Sequence, residues 1–306
     1  MLKARPLASR PTAPAHNDLG GIGRALLSAA ASGTLGLWGK LALTLHLSTP
    51  TLLGWRFGLT ALLLFALGFG RVPRRVRLEL LLLSAFYTAS TVLYFLALAR
   101  LSASTAALLV YIAPAFVILY GALARIRPSG WQVGALLCTL TGLGVVVGLS
   151  GADDGDLAGL LLGGVSGALY GGYLFASGRL ARTASPLTVT AHISLVCAVT
   201  FAVLGAGTGQ LGVPVTPAHW GVILAMLLIP TLVALPALAG AVRRIGPAHA
   251  SLLATTDPLW ATLFAVLFLG ESLRLNQGLG GALILLGAVI ARWTPAMTRP
   301  AHPSQA

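Results

Sequence analysis

The chain has 306 residues, of which 57% are hydrophobic and only 9% charged. Soluble globular domains carry roughly 25% charged residues, so a water-soluble fold of this length is excluded: it could not cover its own surface. The net charge of +13 does not signal a nucleic-acid partner, because the basic residues stand singly or in small groups at the ends of apolar stretches, where they set membrane orientation.

Residues 1–21 read as a disordered basic cytoplasmic tail, with Pro6, Pro11 and Pro14 among Lys3, Arg5 and Arg10. The apolar run that follows is too long for a signal peptide, and nothing soluble comes after it. Polar clusters then divide the chain into apolar segments of about 20 residues, the length that crosses roughly 30 Å of hydrocarbon. Spans are predicted near 22–45, 50–70, 78–99, 102–124 and 129–149, then near 157–180, 186–208, 218–242, 246–269 and 273–293. Residues 294–306 form a second Pro-containing disordered tail. The predicted fold is all-α and integral to the membrane, with ten transmembrane helices. Cys138 and Cys197 both fall inside apolar segments, without disulfide or metal-ligand spacing, and read as small buried hydrophobes.

The loops carry the orientation. Arg71, Arg74, Arg75 and Arg77 follow the second segment, Arg125 and Arg127 the fourth, Arg179 and Arg182 the sixth, and Arg243 and Arg244 the eighth, while Arg292 ends the tenth. The alternate loops are nearly free of Lys and Arg, with Arg100 and Arg274 as exceptions, and one carries Asp153, Asp154 and Asp156. Under the positive-inside rule this alternation places both termini in the cytoplasm and the chain in a bacterial-type cytoplasmic (inner) membrane.

The chain also repeats. Residues 97–100 and 106–109 through Pro114 align with 241–244 and 250–253 through Pro258, Thr49-Pro50 with Ser185-Pro186, and Ser32-Gly33 with Ser166-Gly167. The second alignment sets Arg56 opposite His192. Five spans per half is an odd number, so the repeats 22–149 and 157–293 are predicted to be inverted five-plus-five units. Inverted repeats are the architecture of many secondary transporters, with the substrate site near midplane at the repeat interface.

Residues 248–286 resemble the second half of an EamA-type protein of the drug/metabolite transporter superfamily. The motif reads Thr256-Asp257-Pro258-Leu259-Trp260-Ala261, then Leu269-Gly270-Glu271, Gln277-Gly278 and Gly287. The first half carries a weaker copy, Tyr111-Ile112-Ala113-Pro114 followed by Gln132 and Gly142, and Trp38-Gly39, Pro50 and Arg56 are also similar to the family's pattern. The resemblance implies ten helices, the inverted repeat and solute transport, often export of amino acids or metabolites. The first copy departs from it in having Arg127 where the second has Glu271, and Ala113 where the second has Asp257.

Ionisable groups in hydrocarbon are costly and mark candidate sites. Asp257 lies about eleven residues into its segment, roughly 16 Å deep. It is a candidate ligand for a substrate ammonium or a coupling proton, or else a structural partner of Arg56 or Lys40. Arg56 can offer its fork of donors to a substrate carboxylate; His192 either mirrors it as a gate or simply bonds a nearby carbonyl. Lys40 is expected to snorkel. Tyr87, Ser90, Thr91 and Tyr94 share one helical face, and with Trp38, Tyr111, Tyr170, Tyr173 and Trp260 they are candidates for an aromatic-lined pocket; interhelical packing explains any one of them equally well. Pro114, Pro230, Pro236 and Pro258 are candidate hinges.

Three other readings compete. Gly164-Val165-Ser166-Gly167 matches the Gly-x-Ser-Gly of an intramembrane rhomboid-type serine protease, with His192 as base, but Ser32-Gly33 in the other repeat argues for close packing instead. An ATP-driven pump fails because Gly33 to Gly39-Lys40 has the wrong spacing for a phosphate loop and is followed by Leu41. A non-transporting scaffold or receptor is the third. The expectation is therefore a non-enzymatic secondary transporter without a cofactor. Its partners are a small solute, lipid and, through Asp257, protons; aromatic or amphipathic amino acids are the favoured cargo and export the favoured direction.

Overall fold

The computed structural model describes residues 18–98, 100, 109, 110, 112–126, 128–147, 156–180, 183–269 and 275–292. Residues 1–17 and 294–306 of the predicted tails, Tyr111, Arg127, Asp153, Asp154, Arg182, Glu271 and Arg274 lie outside the described residues, as does the side chain of Lys40, whereas 18–21 of the first tail are the cap and first turn of a helix. The described chain forms α1 (Leu19–Gly33), α2 (Leu35–Thr44), α3 (Thr49–Ala66), α4 (Arg74–Leu98), α5 (Ala113–Leu123) and α6 (Gly130–Val147). It continues with α7 (Leu157–Leu180), α8 (Pro186–Gly207), α9 (Pro217–Leu227), a π-turn (Leu228–Val233), α10 (Ala234–Ala254), α11 (Asp257–Leu269) and α12 (Leu275–Arg292). Among the described residues there is no strand, and five helical runs are long and apolar enough to cross a membrane: α3, α4, α7, α8 and the run Pro217–Ala254.

Local chemistry sets the helix starts. Asp18, Ser48, Ser185 and Thr216 each accept a backbone N–H of the first turn that they cap, and Pro50, Pro186 and Pro217 occupy first-turn positions whose N–H groups a helix cannot use. At α6, Ser129 and Gln132 form a reciprocal capping box: the Gln132 Oε1 accepts the Ser129 N–H at 3.0 Å, and the Ser129 Oγ accepts the Gln132 N–H at 3.2 Å.

Several segments predicted as single helices are broken. The first starts at Leu19 and is divided at Thr34, whose N–H and hydroxyl both turn back to the Ala31 carbonyl. The third begins at Arg74 rather than 78. Gly246, with φ 81°, kinks the backbone inside α10; that left-handed conformation favours glycine. A second break at Thr255 and Thr256 separates α10 from α11, so Pro258 becomes the second residue of a new helix. Pro114 holds the same second position in α5. Of the two prolines expected to break the eighth segment, Pro230 lies in the π-turn, whereas Pro236 is accommodated in the first turn of α10.

The helices pair across the halves. α1 lies along α10 and touches α11; α7 lies along α4 and receives α5; α3 packs on α8, and α6 on α12. Small residues make these approaches possible. A Cβ at Gly167 would run into the Leu109 carbonyl, and one at Gly33 would stand 2.8 Å from the Trp260 Cβ and 2.9 Å from the Ala261 nitrogen. Serines add interhelical bonds: Ser28 donates to the Ala234 carbonyl at 2.9 Å, Ser90 to the Ser166 carbonyl at 2.9 Å, and Ser166 to the Ser90 carbonyl at 2.8 Å. Such bonds average about 0.6 kcal/mol in a bilayer, so they register the helices more than they hold them.

Two ion pairs tie helix starts to arginines at equivalent repeat positions. Arg244 meets the Asp18 carboxylate at 3.0 Å, and Arg100 meets Asp156 at 3.1 Å. The hydrogen bond from Arg100 holds the Asp156 carboxyl below its ordinary value against the opposing desolvation, with the Ala158 and Gly159 N–H groups and the Arg100 charge adding to it. At Asp18 partial desolvation pushes upward, but Arg244 and the Gly20 and Gly21 N–H groups outweigh it and hold the carboxyl low. Arg100, an exception to the loop alternation, is thus a charge with its own counter-ion.

Candidate functional site

Arg56 sits on α3 with 4% of its surface exposed. A guanidinium at such depth costs roughly 2.5–3.5 kcal/mol even on the lenient insertion scale, so its surroundings matter. Its Nε–H donates to the Thr231 Oγ1 at 2.6 Å, and its Cζ stands 4.6 Å from the centre of the Phe57 ring. Among the described residues no carboxylate lies within ion-pair distance of it. A neutral hydroxyl and a ring face are weak compensation for a buried full charge.

From Arg56 an aromatic row leads inward. The Tyr87 hydroxyl, on α4, is within electrostatic reach of the cation. Tyr87 meets Tyr173 of α7 edge to face at 5.2 Å and Tyr170 at 6.2 Å, and Tyr170 stacks on Tyr173 at 5.7 Å. Tyr173 is fully buried, while Tyr87 and Tyr170 are half-buried and pack against the same core cluster. At its far side, Tyr170 and Tyr94 both lie within electrostatic reach of Asp257. Asp257 opens α11, where the helix dipole favours an anion, and its carbonyl lies 3.2 Å from the place a Gly33 Cβ would take. The result is a guanidinium, four tyrosines and a carboxyl group spread over α3, α4, α7 and α11.

The other candidates fall in different places. Ser90 is spent on Ser166, and Thr91 donates to the Tyr87 carbonyl at 2.9 Å, so the polar stripe of α4 offers mainly its tyrosines. Trp38 packs against a separate cluster with Val222, Ile223 and Met226, and its buried indole N–H has no partner among the described residues. Trp260 lines up with Phe264 at 6.3 Å. The His192 Nδ1 lies 2.9 Å from the Thr188 carbonyl of its own helix, and its ring lies 5.4 Å from Phe65. Phe65 is nine residues, or about 13 Å, along α3 from Arg56, so the histidine meets α3 well along the helix from the arginine. Tyr111 lies outside the described residues.

Two further features bear on rival readings. Ser166 is fully buried with its hydroxyl on Ser90, while His192 is engaged with Thr188; a serine–histidine pair is not assembled. Among the described residues no group of three His, Cys, Asp or Glu side chains gathers as for a metal. A surface recess between the α2–α3 and α8–α9 loops is lined by His46, Ser48, Thr51, Gln210 and His219. There Ser48 and Thr51 donate to the Gln210 carbonyl at 2.6 and 2.7 Å, and Trp55 to the Gly212 carbonyl at 2.9 Å. These bonds close the start of α3 and leave Arg56 beneath them.

Thr231 escaped sequence reasoning altogether. Its only signal was a hydroxyl beside Pro230 within an apolar segment.

Residues 19–148 and 157–293 each match the EamA-like transporter family. An uncharacterized transporter of Archaeoglobus fulgidus is 29% identical over 246 residues, covering 77% of this chain and 83% of that protein. The uncharacterized transporter YwfM of Bacillus subtilis is 28% identical over 179 residues, 58% of this chain and 59% of its own length. A protein known from a crystal structure has the same fold, with a TM-score of 0.75 over 89% of this chain and 96% of its own, at 21% identity.

Proposed function

The chain belongs to the EamA-like transporter family and is a multi-pass membrane transporter; from that premise we propose that it moves small zwitterionic solutes, foremost aromatic or amphipathic amino acids. In this reading Arg56 takes the solute carboxylate, Tyr87, Tyr170 and Tyr173 flank its side chain, and Asp257, beside Tyr94, receives the ammonium group or a coupling proton. The observation that carries the reading is Arg56: a buried cation compensated by a hydroxyl and a ring gains a counter-ion when an anionic group arrives. Aromatic walls with a few convergent polar groups suit an amphipathic ligand.

The proposal extends to the architecture. Ten spans arranged as inverted repeats, 22–149 and 157–293, would make α1 with α10 the mirror of α7 with α4, which agrees with their pairing, with the two Asp–Arg ties and with the serine bonds, in which Ser28, and not the Ser32 of the sequence alignment, answers to Ser166 as Gly33 answers to Gly171. Alternating access follows from such symmetry, with Pro230 in the π-turn and Pro114 and Pro258 at helix starts as the places where the chain can bend, both termini in the cytoplasm, the chain in the inner membrane and export as the direction of flow.

Counterflow in proteoliposomes tests this without assuming a driving force. Wild-type protein is expected to exchange labelled phenylalanine, tyrosine or tryptophan, with Asp257→Asn losing exchange or its dependence on pH. Exchange by folded Asp257→Asn at the wild-type rate and with the wild-type response to pH removes that residue from the mechanism, and the absence of exchange for every amino acid overturns the cargo assignment.

A further inference from the structure

An arginine side chain has four rotatable bonds before its planar fork, and a fork that must meet a carboxylate has to be held in one plane. The π-turn supplies the means. In a regular helix the Met226 carbonyl would accept the N–H of the fourth residue on, but that residue is Pro230, which has none. The Thr231 hydroxyl takes the vacant acceptor instead, donating to the Met226 carbonyl at 2.8 Å. A hydroxyl has one proton, so with that proton committed Thr231 meets Arg56 only as an acceptor, and the Arg56 Nε–H fills that role at 2.6 Å. Thr231 is fully buried, which keeps water from exchanging either bond. The Phe57 ring at 4.6 Å supports the guanidinium as well. With Nε occupied, the edge of the fork left to a ligand is the one bearing the two terminal nitrogens.

We infer that Thr231, oriented by the carbonyl that Pro230 leaves vacant, is a positioning residue that presents the terminal nitrogens of Arg56 end-on to the carboxylate of the solute. The inference rests on the reading of Arg56 as the carboxylate-binding group. It makes the Pro230-Thr231 pair a determinant of specificity: it favours solutes with a planar anion at the end of the molecule and gives nothing to their uncharged amides.

The test compares labelled phenylalanine with phenylalaninamide as a competitor in counterflow by wild type, Thr231→Val, Thr231→Ser, Pro230→Ala and Arg56→Gln. Thr231→Val keeps the shape and removes the hydroxyl; it is expected to raise the KM for phenylalanine roughly tenfold, leaving kcat within about twofold and competition by the amide unchanged. Thr231→Ser is expected to restore the wild-type KM. Pro230→Ala supplies a competing N–H for the Met226 carbonyl and is expected to give a smaller KM rise, which keeps the inference testable should Thr231→Val not fold. A Thr231→Val or Pro230→Ala protein that lowers kcat for all solutes alike, or a KM unmoved in both, overturns the positioning role while Arg56→Gln still abolishes phenylalanine exchange. If Arg56→Gln exchanges phenylalanine as the wild type does, or the wild type does not exchange it, the carboxylate site falls and the inference with it.

Discussion

The two helices that pack together at the centre, α3 and α8, begin alike and end differently. Each is capped by a serine whose hydroxyl lies 2.8 Å from the threonine hydroxyl three residues on, Ser48 with Thr51 and Ser185 with Thr188, and each has proline in its first turn. Counted from those caps, Arg56 is eight residues along and His192 seven, so the capping register sets them one position apart. Arg56 reaches out of its helix to Thr231, whereas His192 turns back to its own Thr188. Helix starts depend on local hydrogen bonds and survive duplication unchanged; a buried ionisable group depends on what the neighbouring helix offers, and only one of the two neighbours offers a π-turn.

The sharpest way to break this comparison is to remove the charge that distinguishes α3. Arg56→Gln is expected to lower counterflow of an amino-acid cargo by about 30-fold or more, from the roughly 2–5 kcal/mol lost when a buried charge pair forfeits one partner. Arg56→Lys is expected to rescue it poorly, because an ammonium lacks the planar fork. Size-exclusion chromatography confirms that the variants are folded. Equal transport by Arg56→Gln would make the two helices alike after all.

Next in size is a packing change. Gly167→Val is expected to abolish the folded protein in detergent, since its Cβ meets the Leu109 carbonyl, a backbone atom that cannot swing aside as a side chain can. Gly164→Ala, on the same helix with open space at its Cβ position, should leave the melting temperature within about 2 °C. A third expectation sharpens the comparison itself: His192→Gln keeps an amide able to bond Thr188 and should change transport no more than about twofold. A tenfold loss would restore His192 to equal rank with Arg56.

The smallest effect concerns the ties at the helix starts. The Asp156 carboxyl is held low in the folded protein, so its contribution is fully present above the ordinary pKa of 3.8 and fades as pH falls through the lower folded value. Asp156→Asn should therefore lower the melting temperature slightly at pH 7, and the difference should shrink as pH falls below 3.8. A difference that does not shrink in acid would mean that Asp156 acts through its cap to Ala158 rather than through charge.

Much of this was legible beforehand because it is local. Proline after a serine announced α3 and α8, Ser166-Gly167 announced a close approach, and Tyr87 and Tyr94 at helical spacing announced a shared face. What escaped was tertiary. The stripe on α4 left two outcomes open, a pocket or hydroxyls bonded to backbone, and Ser90 and Thr91 took the second. The break at Thr34 carries no proline, only Ser32-Gly33-Thr34 inside an apolar segment, which is equally compatible with an unbroken membrane helix. The partner of Arg56 lies 175 residues away in sequence, and no periodicity reports such a pairing. Arg100 looked anomalous only because Asp156, in another loop 56 residues on, had not been brought to it.

The half-crossing helix pairs also constrain how the protein is made. The small and polar face of α1, with Ser28 and Gly33, finds its partners on α10 and α11, and 201 residues separate Gly33 from Ala234. At roughly 5–20 residues per second, the first helix waits about 10–40 s after leaving the ribosome before its neighbour exists. A chain cut off after residue 149 never meets that neighbour and should be cleared by membrane proteases. Supplying residues 150–306 as a separate polypeptide in the same cell should protect it. Equal pulse-chase half-lives of the fragment with and without its complement would show that the first five segments assemble unaided.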